Sequence, residues 1–196
     1  MRKGEQTRER ILDRAARLFN QKGYYGSSLS DVLRATGLKK GGIYNHFHSK
    51  EQLALEAFDT SVRLISKGYE EALAGKRNAV DRLLAIVNQF RRSAQDPPIP
   101  GGCPLMNTAI ENDDANPALR RRARQAMEQW RGSIRTIVAK GVERRELRAG
   151  LDPQQVSTVM IAALEGGLML SKLYDQPSYI DAIADFLTEY VEKQLR

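Results

Sequence analysis

Cysteine, histidine and long apolar runs are scarce in this chain of 196 residues. One cysteine excludes an internal disulfide and is typical of a protein from a reducing compartment. The two histidines lie together at positions 46 and 48, so the sequence predicts no metal site. The sequence has no run of about 18 apolar residues, so it predicts no membrane-spanning helix. The first residues are charged, which argues against a secretory signal, and we expect a cytoplasmic protein without a cofactor.

The sequence motifs of common enzyme classes are also missing. There is no P-loop, no G-x-S-x-G elbow and no dinucleotide-binding glycine pattern. The densest acidic cluster, formed by Glu111, Asp113 and Asp114, falls where a short helix is predicted to end. No nucleophile-base pair accompanies it, and we interpret it as solvated loop charge. We therefore predict that the protein is not an enzyme.

Basic charge is concentrated in the first quarter of the chain. Residues 1–50 hold 11 Lys and Arg against 4 Asp and Glu, whereas residues 51–196 hold 20 of each. The whole net charge of +7 therefore belongs to the first quarter. A compact basic module followed by an electrically balanced remainder is typical of a DNA-binding head joined to a separate body.

Apolar residues recur with helical spacing almost throughout, which predicts an all-α fold of about nine helices. The helices are expected to begin near residues 7, 29, 40, 50, 79, 104, 117, 153 and 177. Thr7 is the expected N-cap of the first helix, and Ser27 or Ser28 that of the second. Gly37 is expected to end the second helix in the left-handed conformation, and the third should cover about residues 40–46.

The stretch GLKKGGIYNHF at residues 37–47, followed by Ser-Lys-Glu at 49–51, is typical of the turn and second helix of a helix-turn-helix. Together with TRERIL at 7–12, ARLF at 16–19 and SSLSDV at 27–32, it resembles the N-terminal domain of the TetR family of bacterial transcriptional regulators. The resemblance implies a three-helix DNA-binding head over residues 1–49. It also implies a helical-bundle domain over residues 50–196 that dimerises and binds an effector.

The helix-turn-helix supplies nine candidate contacts to double-stranded DNA, because a helix presented after a tight turn can enter the major groove. They are Ser28, Lys39, Lys40, Gly41, Gly42, Tyr44, Asn45, His46 and Lys50. The lysines would neutralise phosphates, and the glycines would let the backbone approach them. Tyr44 and Ser28 would donate to phosphates, while Asn45 and His46 are candidates for base or backbone contact. The alternatives are a packing role for Tyr44 and a merely solvated Lys50.

Two positions in this motif depart from the family pattern. Lys39 stands where a capping serine is expected, and Gly42 stands where a residue with a hydroxyl usually follows the Lys-Gly pair. The missing cap costs about 1 kcal/mol, and the glycine costs up to about 1 kcal/mol. We predict a recognition helix that is only marginally stable in the free protein and becomes stable when the protein binds DNA.

Two late helices, at residues 153–174 and 177–195, are predicted to form a homodimer. Small residues at positions 162, 163, 166 and 167 permit close helix approach, and apolar residues occupy more than one face of the last helix. A two-fold dimer would read the two halves of a palindromic operator. The alternative is that both helices only complete the core of a monomer.

Seven residues are candidates for an effector or sensor site. They are Cys103, Met106, Met127, Trp130, Leu168, Met169 and Lys172. Methionines and aromatic residues form adaptable pocket walls, although residues with this spacing also serve as plain core. Cys103 precedes Pro104 and is expected at a helix N-cap, where the pKa of a thiol is depressed. The resemblance adds that some family members sense electrophiles or oxidants, with Lys172 as a candidate neighbour of the thiolate; the alternative is a small buried hydrophobe.

These observations predict a ligand- or redox-responsive transcriptional regulator, with a repressor released from operator DNA by an effector as the leading hypothesis. The alternative is a DNA-binding structural or nucleoid protein that uses the same head without an effector. A preformed cavity in the body would argue against that alternative.

Overall fold

The computed structural model describes residues 3–112 and 116–196, and most of these residues are helical. The helices are α1 (Lys3–Lys22), α2 (Leu29–Thr36), α3 (Lys40–Tyr44), α4 (Lys50–Leu73), α5 (Ala79–Gln95), α6 (Pro104–Glu111), α7 (Pro117–Glu143), α8 (Pro153–Tyr174) and α9 (Ser178–Glu189), followed by a π-helical turn (Tyr190–Leu195). No strand occurs in this part of the chain, and the predicted all-α class is confirmed. Asp113 and Asp114 of the acidic cluster lie outside the described residues.

Both ends of α2 follow signals in the local sequence. Ser28 is the N-cap: its hydroxyl accepts the backbone N–H of Asp31 at 3.1 Å, and the Asp31 carboxylate accepts the backbone N–H of Ser28 at 2.9 Å. This reciprocal pair is a capping box. Gly37 ends the helix at φ 70°, and its N–H donates to the carbonyl of Leu33 at 2.9 Å. The structure therefore selects Ser28 over Ser27 and confirms the left-handed glycine.

The capping box makes α2 sensitive to acid. Hydrogen bonds from the side chain and backbone of Ser28 lower the pKa of Asp31 from 3.8 to about 2. Because the folded pKa is depressed, this contribution to stability is complete above pH 3.8 and is lost as the pH falls toward 2. We expect the stability difference between the wild type and Asp31→Asn, measured by urea unfolding, to shrink across this interval. A difference that stays constant from pH 5 to pH 2 would contradict the assignment.

Two predicted helix boundaries were wrong. α1 begins at Lys3, so Thr7 lies inside the helix rather than at its N-cap. α3 ends at Tyr44, two residues earlier than predicted. The N–H of His46 donates to the carbonyl of Ile43 at 2.9 Å, an i to i+3 bond that tightens the chain at the end of the helix.

The described residues form two compact units. The first combines Met1–Ile65 with Pro98–Ala126, and the second combines Ser66–Pro97 with Met127–Arg196. α6 therefore belongs to the same unit as α1, α2 and α3. The boundary predicted between residues 49 and 50 concerns function rather than packing, and it stays a prediction.

Phe47 lies at the centre of the first unit. Its side chain is 0% exposed and belongs to a core that α1, α2, α3 and α4 share. The Arg8 guanidinium of α1 lies 4.8 Å from the centroid of the Phe47 ring and forms an ion pair with Glu56 of α4. Phe47, three residues beyond the recognition helix, thus packs in a core shared with α1 and α4.

Close helix contacts in the second unit depend on two glycines. A Cβ atom on Gly141 of α7 would fall 2.5 Å from Cβ of Ala79 on α5. One on Gly167 of α8 would fall 3.0 Å from a side-chain carbon of Ile183 on α9. A larger residue at Gly141 would push α7 and α5 apart, whereas at Gly167 the Ile183 side chain would have to shift by a few tenths of an ångström.

The helix Pro153–Tyr174 is long and apolar enough to cross a membrane by length and composition alone. The sequence was interpreted above as having no segment of this kind, and this helix corrects that interpretation. Of its most apolar stretch, 44% is buried inside the protein. A single helix of this kind is weak evidence for a membrane protein, and it does not indicate one here.

Candidate DNA-binding surface and sensor residues

The recognition helix α3 has one buried face and one exposed face. Ile43 is 2% exposed and packs into the core of the first unit. Lys40, Gly41, Tyr44 and Asn45 are all exposed. Because side chains three and four residues apart share a helix face, the exposed set forms a continuous surface. Four of the nine predicted DNA contacts therefore lie together on the outside of the head.

The α3 N-terminus lacks a side-chain cap. Lys39 occupies the N-cap position in extended conformation, and its side chain makes no capping hydrogen bond. On the exposed face, the Lys40 ammonium lies 5.8 Å from the centroid of the Tyr44 ring. This is within the range of a cation–π contact, which at an exposed site contributes about 0.5–1 kcal/mol.

Strengthening α3 should be possible without disturbing its packing. A Cβ atom on Gly42 would lie 3.5 Å from Cβ of Leu38, an ordinary van der Waals contact. We therefore expect Gly42→Ala and Lys39→Ser each to stabilise the helix by up to about 1 kcal/mol. The measurement is amide exchange of residues 40–46 in the free protein, which should slow in both variants. If these amides of the wild type exchange as slowly without DNA as with it, the prediction of a marginally stable helix is wrong.

Two further predicted DNA contacts, Ser28 and Lys50, are engaged within the head. The Ser28 hydroxyl donates to the Asp31 carboxylate at 2.6 Å, so a bond to phosphate would have to replace this one. The Lys50 ammonium donates to the Tyr24 carbonyl at 2.7 Å and lies 4.1 Å from the centroid of the Tyr24 ring. Burial lowers the pKa of Lys50, while the charges of Glu111 and Asp31 oppose that shift. Lys50 is therefore more than a solvated lysine.

The sensor candidates Cys103 and Met106 belong to the first unit. Cys103 is half-buried at the N-cap of α6, and Pro104 is the first residue of that helix, as predicted. Its side chain makes no capping hydrogen bond. Met106 is half-buried one turn further along the helix.

The other five candidates belong to the second unit, where Trp130 is the centre of an aromatic cluster. Its ring stacks on that of Phe90, with centroids 5.9 Å apart and planes at 6°, and lies 6.2 Å from that of Tyr69. The indole N–H is buried and has no acceptor among the described residues. Met127, one turn earlier on α7, is half-buried.

α8 does not place its three sensor candidates on one side. Leu168 is 6% exposed and lies in the core, whereas Met169 is 48% exposed and Lys172 is exposed. The structure therefore does not bring Leu168 and Met169 together on one surface of the protomer. Lys172 belongs to the second unit and Cys103 to the first, and their pairing stays a prediction.

Met169 instead belongs to an apolar stripe on α8 whose members are exposed, apart from the half-buried Gly166. The stripe repeats at alternating spacings of three and four residues and consists of Val159, Ala162, Gly166, Met169 and Leu173. Around Gly166 a Cβ atom would meet nothing within 4 Å, whereas Gly167 faces α9. α8 therefore has an inner face for its own core and a separate outer apolar face, which we call the α8 stripe.

Both parts of the chain match known families. Residues 11–57 match the model of the bacterial regulatory proteins of the tetR family, and residues 79–187 match that of the tetracyclin repressor-like C-terminal domain. The chain belongs to the TetR family. It resembles the transcriptional regulator LmrA of Bacillus subtilis, with 30% identity over 166 residues, 84% of this chain and 86% of that protein.

Two more relatives match the TetR-family chain over nearly its whole length. The transcriptional repressor DhaR of Mycobacterium sp. is 28% identical over 192 residues, covering 96% of this chain and 92% of that one. A crystal structure of a TetR transcriptional regulator from Chloroflexus aurantiacus is 45% identical, with a TM-score of 0.96 over 100% of this chain and 99% of that chain.

The TetR-family membership settles the general function. The protein is a DNA-binding transcriptional regulator and not an enzyme, as predicted. Regulators of the TetR family bind DNA and act as dimers. The roles of the particular residues predicted to contact DNA, effector and partner stay predictions.

Several residues that position the TetR-type head were missed in the sequence. Glu111, interpreted as solvated loop charge, is the last residue of α6, and its carboxylate accepts the backbone N–H groups of Tyr24 and Tyr25. Arg8 and Asn20 are also involved in contacts to distant segments. These partners lie 48 to 87 positions apart in sequence, and no local pattern indicates such pairs.

Proposed function

We propose that the protein is a cytoplasmic transcriptional repressor that binds a palindromic operator as a homodimer and leaves it when an effector binds. The observation that carries this proposal is the exposed surface of Lys40, Gly41, Tyr44 and Asn45 on the basic head. DhaR, a relative over nearly the whole chain, is named a transcriptional repressor, which supports repression over activation.

On DNA, the exposed face of α3 would enter the major groove. Lys39 and Lys40 would neutralise phosphates, and Gly41 would let the backbone approach the duplex closely. Tyr44 would bind a phosphate through its hydroxyl, and Asn45 is suited to an adenine edge. Each phosphate contact of this kind steepens the loss of affinity with salt by close to one unit of logarithmic slope.

Dimerisation would use the α8 stripe together with the exposed face of α9. Leu173 is 70% exposed and Phe186 of α9 is 61% exposed, which is unusual for residues of this size in helices that also have buried faces. Ala162 and Gly166 would let the two copies of α8 approach closely. A two-fold arrangement of this surface presents two heads to the two half-sites of an operator.

For the effector, the structure offers two candidate triggers. The first is the aromatic cluster of Trp130, Phe90 and Tyr69, whose buried indole N–H would bind an acceptor atom of a small molecule. The second is the Cys103 thiol at the N-cap of α6, where an electrophile or oxidant would form a covalent adduct. An effector lowers DNA affinity only to the extent that it binds the two states of the protein unequally.

The decisive experiment is fluorescence anisotropy on the DNA upstream of the protein's own gene. Reduced protein is titrated onto that duplex and onto a scrambled duplex of the same composition, at two salt concentrations, with and without a quinone. We expect tight, salt-sensitive binding to the upstream duplex only. If quinone abolishes this binding in the wild type but not in Cys103→Ser, the trigger is the thiol.

The other outcomes point elsewhere. Tight binding that quinone leaves unchanged would turn the search to a non-covalent ligand at Trp130. Equal affinity for the two duplexes would contradict an operator-specific repressor and favour a structural DNA-binding protein. A Cys103→Ser protein that still loses DNA on treatment would rule out the thiol route.

A further inference from the structure

The loop between α1 and α2, residues 23–28, is bound by a carboxylate from a distant helix. The Tyr24 N–H donates to one Glu111 oxygen at 2.9 Å, and the Tyr25 N–H donates to the other at 2.9 Å. Glu111 is the last residue of α6. Two successive backbone amides on one carboxylate form a bidentate, charge-assisted contact, which is stronger than a pair of neutral hydrogen bonds.

The backbone of the loop is shaped for this contact. Gly23 has φ +78°, and a Cβ atom there would fall 2.4 Å from one oxygen of Glu111. Any side chain at this position would displace the carboxylate and would also strain the backbone. Gly23 therefore does more than end α1: it makes room for the end of α6.

A second polar contact holds the beginning of α6 to α1. The Asn20 side-chain amide donates to the carbonyls of Pro100 at 2.8 Å and Gly102 at 3.0 Å. The Asn107 amide donates to the side-chain oxygen of Asn20 at 3.1 Å and to the carbonyl of Gly101 at 3.0 Å. Both ends of α6 are thus hydrogen-bonded to the same small region of the head.

Between these contacts the packing is incomplete. A small, partly open cavity of about 30 Å³ lies among α1, α4 and α6, and its wall includes Asn20, Tyr24, Thr108 and Glu111. A gap of this size leaves some dispersion contacts between these helices unmade.

The bound loop is joined directly to the start of α2. It leads directly into Ser28, the N-cap of that helix, and its Tyr24 carbonyl accepts the Lys50 ammonium at the start of α4. A shift of the loop would therefore move the cap of α2 and the lysine that follows the recognition helix. Resting on the DNA-binding function proposed above, we propose that Glu111 is a positioning residue for operator recognition.

The test compares two substitutions at this position with a matched control. Glu111→Asp keeps the charge but is one methylene too short to reach both amides, and Glu111→Gln removes the charge. Glu9→Gln removes an exposed carboxylate of α1 instead. Anisotropy gives affinities for the upstream and scrambled duplexes, and amide exchange is followed at Tyr24 and Tyr25.

For both Glu111 variants we expect affinity for the upstream duplex to fall about tenfold, with affinity for the scrambled duplex unchanged or higher. Exchange of the two amides should accelerate about tenfold or more. The direction of the change in affinity is informative. Removing an acidic group by itself favours DNA binding, as expected for Glu9→Gln, whereas the proposal predicts weaker binding. A merely structural role would lower thermal stability without changing the ratio of the two affinities.

The proposal would be overturned by faster exchange at Tyr24 and Tyr25 with an unchanged affinity ratio. Unchanged exchange in both Glu111 variants would show that the carboxylate does not hold the loop, and would overturn it as well. If the wild type fails to prefer the upstream duplex, the operator-binding proposal fails, while the exchange result still reports on the Glu111 contact separately.

Discussion

Replacing Ala162 with glutamate should convert the dimer into monomers and lower operator affinity by about a hundredfold or more. Ala162 is an exposed residue in the middle of the α8 stripe. In the proposed interface it faces a second copy of α8, and a carboxylate there would lose its hydration without gaining a partner. The penalty for one buried, unpaired ion is several kcal/mol, and about 2.7 kcal/mol is already a hundredfold in an equilibrium constant.

The matched control is Ala139→Glu. Ala139 is also exposed, and it lies on α7 outside the α8 stripe. We expect this variant to remain dimeric and to bind DNA like the wild type, since it makes the same chemical change on a solvated face. Sedimentation velocity gives the oligomeric state, and anisotropy gives the affinity.

The two measurements also separate two explanations. A monomeric Ala162→Glu protein with full operator affinity would show that one head suffices, contrary to reading two half-sites. If Ala162→Glu remains dimeric, the α8 stripe is not part of the interface. The exposed apolar residues of α9, beginning with Phe186, would then be the next surface to test.

Replacing Phe47 with alanine should destabilise the head by about 3–5 kcal/mol. The Phe47 ring is 0% exposed, and Arg8 lies over it at 4.8 Å. Its removal leaves a cavity where α1, α3 and α4 meet, and it deprives the Arg8 guanidinium of its aromatic neighbour. Because the chain forms two compact units, we expect the loss to show first as faster amide exchange in residues 11–57 rather than as one global transition.

Tyr44→Ala is the control for this substitution. Tyr44 lies three positions earlier and is 39% exposed, on the outer face of α3. Its truncation should change the free energy of unfolding by less than about 0.5–1 kcal/mol and should weaken binding to operator DNA. The pair separates a packing aromatic from a DNA-contacting one. Equal stability losses in the two variants, measured by urea unfolding, would contradict this division.

Local signals in the sequence predicted much of the head correctly. Ser28 and Gly37 act within four residues of their partners, so the ends of α2 could be read from residue types alone. The start of α1 and the end of α3 were misplaced, because no strong cap stops α1 from extending to Lys3 and no side-chain cap supports α3. Weak capping leaves the boundary to tertiary contacts, which a short stretch of sequence does not contain.

The body illustrates the limit of periodicity. The sequence showed that α8 has small and apolar residues on most sides, but not which side faces its own core. The structure directs Gly167 toward Ile183, whereas Met169 is exposed and a Cβ atom on Gly166 would meet nothing within 4 Å. Adjacent residues on a helix differ by about 100° in direction, so only the position of α9 distinguishes the inner face from the outer one.

The sequence by itself determined the all-α class, the basic head, the family and the exposed residues of the recognition helix, since all of these depend on composition, helical period and local motifs. Tertiary structure alone decided that Glu111 binds the loop before α2, that Lys50 holds Tyr24 and that α8 presents an outer apolar stripe. Those features depend on which distant segments pack together, and a carboxylate looks the same in sequence whether water or two backbone amides surround it.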